Sequence, residues 1–131
     1  MLLSLKIVLT NWVNFLVIFI VLYLVGFLSA LFIDGFSFSD ALVETLFALL
    51  GYGMIFWIGF FIVIAILDTL LFSFKKEPVY INNNLYMEWI IISSPFIYWL
   101  IKYNQWGFLV AILAFILGQY LRRPYILKIL E

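Results

Sequence analysis

Beyond its tyrosines and termini, the ionisable chemistry of this 131-residue chain is seven carboxylates and seven Lys or Arg side chains, with no histidine and no cysteine. Disulfides, thiol catalysis, imidazole acid–base chemistry, and haem or zinc held by His or Cys are therefore outside its reach. No metal or cofactor site is expected. The carboxylates are scattered, and no nucleophile stands at helical spacing from a base. Enzymatic function is not expected.

Two carboxylates carry the most chemical interest. Asp68 follows about 23 uncharged residues, and a charge at membrane depth is costly enough to be a functional candidate by default. Its expected place is the membrane interface, where it can reach headgroups or Lys75 and Lys76. It shares a helical face with Trp57, Phe61 and Ile64, which reads as lipid-facing. Glu88 lies at the same membrane side on the next apolar run. If Asp68 and Glu88 met, they could form an ion or proton site. Ser93 and Ser94 precede Pro95, which removes the hydrogen bond to the Ile91 carbonyl and predicts a kink that a serine hydroxyl can compensate. Asp40 and Glu44, spaced i, i+4, read as capping and solvated residues. Lys75, Lys76, Arg122 and Arg123 read as contacts to anionic lipid headgroups, with Arg122-Arg123-Pro124 ending the last helix.

The elements that must position these groups are four apolar runs, roughly residues 12–32, 45–67, 85–101 and 106–121. A hydrocarbon core about 30 Å thick takes ~20 apolar residues of helix. Only 11% of the chain is charged, against about 25% in soluble domains, so a water-soluble fold would lack the polar surface to cover itself. The fold class is an all-α membrane protein: four transmembrane helices in a small bundle forming one integral membrane domain over residues 1–131. The helices are expected at about 6–33, 39–74, 84–102 and 105–122. The third run contains Pro95 and the fourth is short. The alternative is therefore two spanning helices plus a re-entrant helical hairpin with its tip near Lys102 to Gln105. The first run is too long for a signal-peptide h-region and reads as an uncleaved helix.

With four crossings, Lys6, Lys75, Lys76, Arg122, Arg123 and Lys128 fall on one side and Lys102 on the other. The positive-inside rule then puts both termini in the cytoplasm, or in the matrix of an organelle. The membrane is a bacterial cytoplasmic membrane or an organelle inner membrane. Asp34-Gly35 reads as a turn, Ser37 to Asp40 as a capping box, and Asn82-Asn83-Asn84 as the start of the third helix.

Small residues mark helix faces that can approach closely. Gly107, Ala111, Ala114 and Gly118 fall within about 60° of the fourth helix at 100° per residue. Gly26 and Ala30 form a shorter pair on the first helix, and Ala48, Gly51 and Gly59 line one side of the second. These stripes imply contact within the bundle or with another membrane protein. Zero net charge implies no nucleic-acid partner. The expected function is non-catalytic and works through helix–helix contact in the lipid bilayer. It fits an accessory subunit of a larger membrane complex, or an immunity-type protein against a pore-forming toxin. The alternative is a homo-oligomeric small channel or transporter, which the lack of mid-depth polar residues disfavours.

Overall fold

The computed structural model describes residues 2–74, 77–104 and 106–130. Those residues are almost wholly helical and contain no strand. Six α-helices follow in order: α1 (Leu2–Leu9), α2 (Trp12–Phe32), α3 (Phe38–Phe47), α4 (Met54–Phe74), α5 (Ile81–Tyr103) and α6 (Trp106–Leu130). Three segments are long and apolar enough to cross a membrane: Leu5–Phe32, Met54–Phe74 and Gly107–Leu130. The chain is a helical protein of the membrane-spanning type. α5 matches them in length, at 23 residues, but carries Asn82, Asn83, Asn84, Glu88 and Lys102, which lower its hydropathy.

The helices differ from those read in the sequence at four places. The first helix breaks at Thr10–Asn11 instead of running unbroken from residue 6. The cause is local: the Thr10 hydroxyl donates to the Ile7 carbonyl, and Asn11 Nδ2 donates to the Val8 carbonyl at 2.9 Å. Side chains that satisfy nearby carbonyls compete with the helical ladder. The second helix is interrupted by a π turn, Ala48–Tyr52. There the Gly53 amide reaches back to the Ala48 carbonyl, and Trp57 Nε1 donates to the Leu49 carbonyl at 3.0 Å. Only glycine fits at 53, because an added Cβ would lie 2.5 Å from the Leu49 oxygen.

α5 starts at Ile81, continuing a 3-10 turn over Pro78–Tyr80, without a side-chain cap from the asparagines. α6 does not stop at Arg122-Arg123-Pro124; it runs through Pro124 to Leu130. Proline frees the carbonyl of Tyr120, four residues back, and Tyr120 lies on the exposed face of the helix. The extension is held by Ile126, which is fully buried, and by Leu127, Ile129 and Leu130 beside it. In the first loop, Gly35 takes a left-handed φ of 73°. The Ser37 hydroxyl accepts from the Asp40 amide at 3.3 Å to open α3.

α6 is the hub, packed against both α2 and α5. α4 packs on α5, α1 bridges α4 and α6, and α3 folds back along α2. Successive long helices run in opposite directions. The start of α2, the end of α4, the start of α5 and the end of α6 meet at one end of the bundle, where α1 packs against α4 and α6.

Candidate functional site: a buried polar layer

At that end three layers stack, each about one helical turn deep. The outer layer is apolar: Ile7, Phe72, Ile81, Leu85 and Ile126. The inner layer is apolar too: Ile18, Ile64, Ile92, Ala114 and Phe115. Between them lies a layer of Thr10, Asn11, Asn14, Asp68, Glu88, Gln119 and Arg122, all buried. One-turn spacing along each helix builds the stack. α4 supplies Ile64, Asp68 and Phe72, and α5 supplies Leu85, Glu88 and Ile92. α6 supplies Phe115, Gln119, Arg122 and Ile126. Asp68 lies six residues before the end of α4, or roughly 9 Å of helix.

Arg122 sits at the centre, with no exposed surface. A guanidinium has five N–H donors in a fixed fork, and here all five are used. One Nη2 hydrogen goes to Asp68 Oδ2 at 2.6 Å and the other to the Ile7 carbonyl at 3.1 Å. Nη1 donates to Glu88 Oε2 at 3.1 Å and to Gln119 Oε1 at 3.0 Å. Nε donates to the Thr10 hydroxyl at 2.7 Å. One side chain thus ties α1, the α1–α2 turn, α4, α5 and its own α6.

The amides complete the layer. Asn11 Nδ2 donates to Asp68 Oδ2 at 2.8 Å. Asn14 Nδ2 donates to Asn11 Oδ1 and to Gln119 Oε1, each at 3.0 Å. Gln119 Nε2 donates to Glu88 Oε2 at 3.0 Å and to the Leu85 carbonyl at 3.1 Å. The Asn14 backbone comes so close to α6 that a Cβ at Gly118 would lie 3.2 Å from Asn14 Cα and 2.4 Å from its Oδ1. Glycine at 118 is what lets α2 reach the layer.

Asp68 and Glu88 are brought together, and both are fully buried. This overturns the lipid-facing reading of the α4 face. Ile64 and Asp68 are fully buried and Trp57 half-buried, while Phe61 alone of that set stays exposed. Arg122 is a second correction. It turns inward to two carboxylates instead of meeting headgroups, whereas Arg123, one residue and 100° further round, donates to Asn82 Oδ1 at 2.7 Å on the exposed side. Lys75 and Lys76 lie outside the described residues.

Sequence reasoning missed Thr10, Asn11, Asn14 and Gln119. The available signal was their spacing. Asn11 and Asn14 sit i, i+3, as do Gln119 and Arg122, each pair on one face between apolar residues.

The serines separate. Ser94 Oγ donates to the Ile90 carbonyl at 2.7 Å on the exposed face of α5. Ser93 is buried, its hydroxyl unpaired. Beyond the inner apolar layer lies an apolar cleft of about 290 Å³, lined by Ser93, Phe56, Phe60, Phe96, Gly107 and Ala111 among others. The small-residue stripes divide accordingly. Ala30 and Ala114 are buried, a Cβ at Gly26 would meet Thr45 Cγ2 at 3.0 Å, and Gly118 meets Asn14. Gly51, Gly59 and Gly107 have no atom within 4 Å of an added Cβ, and Ala48 is exposed. These four positions are not contacts within this bundle. Gly107 faces the cleft, and Ala48, Gly51 and Gly59 face outward. Among the described residues no group of three or more acidic side chains is placed to hold a metal ion.

Comparison with known families, curated proteins and solved structures gives no match to this chain, so function must be argued from the geometry alone.

Proposed function

We propose that this chain is a non-catalytic membrane protein that works through helix–helix contact. It crosses the bilayer four times with both termini on the cytoplasmic or matrix side, in a bacterial cytoplasmic membrane or an organelle inner membrane. One observation carries the reading. The buried polar side chains Asp68, Glu88, Gln119 and Arg122 bond to one another inside the bundle, while the outer surface is largely apolar and includes helix faces without bulk, at Ala48, Gly51 and Gly59. Lipid does not drive apolar helices together, so small residues on an outer face favour close approach of another helix.

Four crossings are supported by length. α5 and α6 run 23 and 25 residues, about 35 Å each at 1.5 Å per residue, longer than the arms of a re-entrant hairpin need be. Asn104, in a left-handed conformation, makes the reversal between them. The orientation is supported by charge. With Arg122 buried, Lys6, Lys75, Lys76, Arg123 and Lys128 still outnumber Lys102 across the membrane. The layout suits an accessory subunit of a larger complex or an immunity-type partner of a pore-forming toxin, and neighbouring genes would separate the two.

The test is a mild-detergent pull-down of the C-terminally tagged chain from its native membrane, with the mass of the intact particle. A stoichiometric companion protein is expected, and it should be lost when Gly51 and Gly59 are both replaced by leucine. A clean homo-oligomer would overturn this reading in favour of a small channel or transporter.

A further inference from the structure

Among the described residues, the buried layer contains two carboxylates and one guanidinium, and no other charged side chain. Each of the three is fully buried. With both carboxylates ionised the layer would carry one net negative charge between two apolar layers, an arrangement that burial strongly disfavours. Arg122 reaches only one oxygen of each acid, Asp68 Oδ2 and Glu88 Oε2. Asp68 Oδ1 and Glu88 Oε1 are buried and receive no donor. The two carboxyl groups share one guanidinium, Glu88 through Nη1 and Asp68 through Nη2.

Among the described residues, the other groups facing the pair cannot balance the charge. Thr10 and Asn11 come from the α1–α2 turn and Gln119 from α6, and none of them titrates. The fork of Arg122 is fully used. Lys6 is exposed and Arg123 turns away to Asn82.

We propose that the Asp68–Glu88 carboxyl pair binds one monovalent cation, a proton or a sodium ion, which neutralises the layer. A single added positive charge brings the sum to zero, whereas a divalent ion would overshoot it. The two carboxylate oxygens without donors are the open charged acceptors, with Asn14 Oδ1 a third, neutral one in the same layer. Exchange of the cation requires α1 to lift. It is the shortest α-helix, and it covers the layer through Ile7 while Arg122 holds it by the Ile7 carbonyl and the Thr10 hydroxyl. The proposal is independent of whether the outer surface binds a partner.

Glu88→Gln is the informative variant. Its amide nearly preserves shape, removes one negative charge and offers N–H donors toward Asp68, so the added cation is no longer needed. The purified full-length protein would be examined in mild detergent near neutral pH by infrared spectroscopy and by thermal unfolding in sodium or choline chloride. A bound proton gives a protonated-carboxyl C=O band in wild type that is absent in Glu88→Gln and indifferent to sodium. A bound sodium ion gives no such band, but raises the wild-type melting temperature over choline and leaves Glu88→Gln unchanged. Absence of both signatures from wild type overturns the proposal, as does persistence of either in Glu88→Gln. If Glu88→Gln fails to fold, Asp68→Asn is read by the same criteria.

Discussion

Arg122 and Arg123 are adjacent and chemically identical, yet the fold gives them opposite tasks. The 100° between neighbours on a helix sends one guanidinium into the polar layer and the other to Asn82 at the surface. Removing one partner of a buried ion pair leaves an uncompensated charge, at a cost of about 3–5 kcal/mol. An exposed polar contact contributes about 1 kcal/mol or less. Arg122→Met is therefore expected to lose at least about 3 kcal/mol of stability or fail to accumulate, and Arg123→Met to stay within about 1 kcal/mol of wild type. Denaturant unfolding of both variants in one detergent checks this. The sequence marks Asp68 and Glu88 as unusual, since each interrupts an apolar run. It hides Arg122, because Arg-Arg-Pro is also how a membrane helix meets the interface. Only the apolar residues beyond Pro124 argue that the helix continues.

Among the elements, what was legible is the set of apolar helices and the turns between them. Periodicity and the Asp34-Gly35 and Ser37 signals are local physics. The breaks were not legible, because they depend on who takes a carbonyl. The Thr10 and Asn11 side chains take those of Ile7 and Val8, and Trp57 takes that of Leu49. The small-residue stripe on α6 was legible as a stripe but not in extent. Its Ala114–Gly118 end packs, while its Gly107 end opens onto the cleft. The glycines accordingly differ in what they tolerate. Gly53→Ala forces a Cβ against the Leu49 carbonyl oxygen, and overpacking of this kind costs about 1–3 kcal/mol. Gly59→Ala and Gly107→Ala meet open space and gain helix propensity of up to about 1 kcal/mol. Thermal unfolding should rank Gly53→Ala below wild type and the other two at or above it.

For the whole molecule, the structure describes a bundle fastened by a polar layer toward one end and holding an apolar cleft toward the other. The fastening is polar and joins α1, α2, α4, α5 and α6 through one guanidinium and its partners. The other end is apolar: rings of Phe56, Phe96, Trp99 and Phe108 from α4, α5 and α6 pack together beside a cleft of about 290 Å³. In lipid, where apolar burial gives little, such a layer and the close approach at Gly118 set which helices are neighbours. The account therefore stands or falls on whether Arg122 and Asp68, far apart in the chain, act as one unit. A double-mutant cycle measures this: unfolding free energies of wild type, Arg122→Met, Asp68→Leu and the double variant, in the same detergent. The account predicts that the double variant is more stable than the summed losses imply, by about 1–3 kcal/mol. Losses that add to within about 0.5 kcal/mol would mean that the two residues do not meet, and would contradict it.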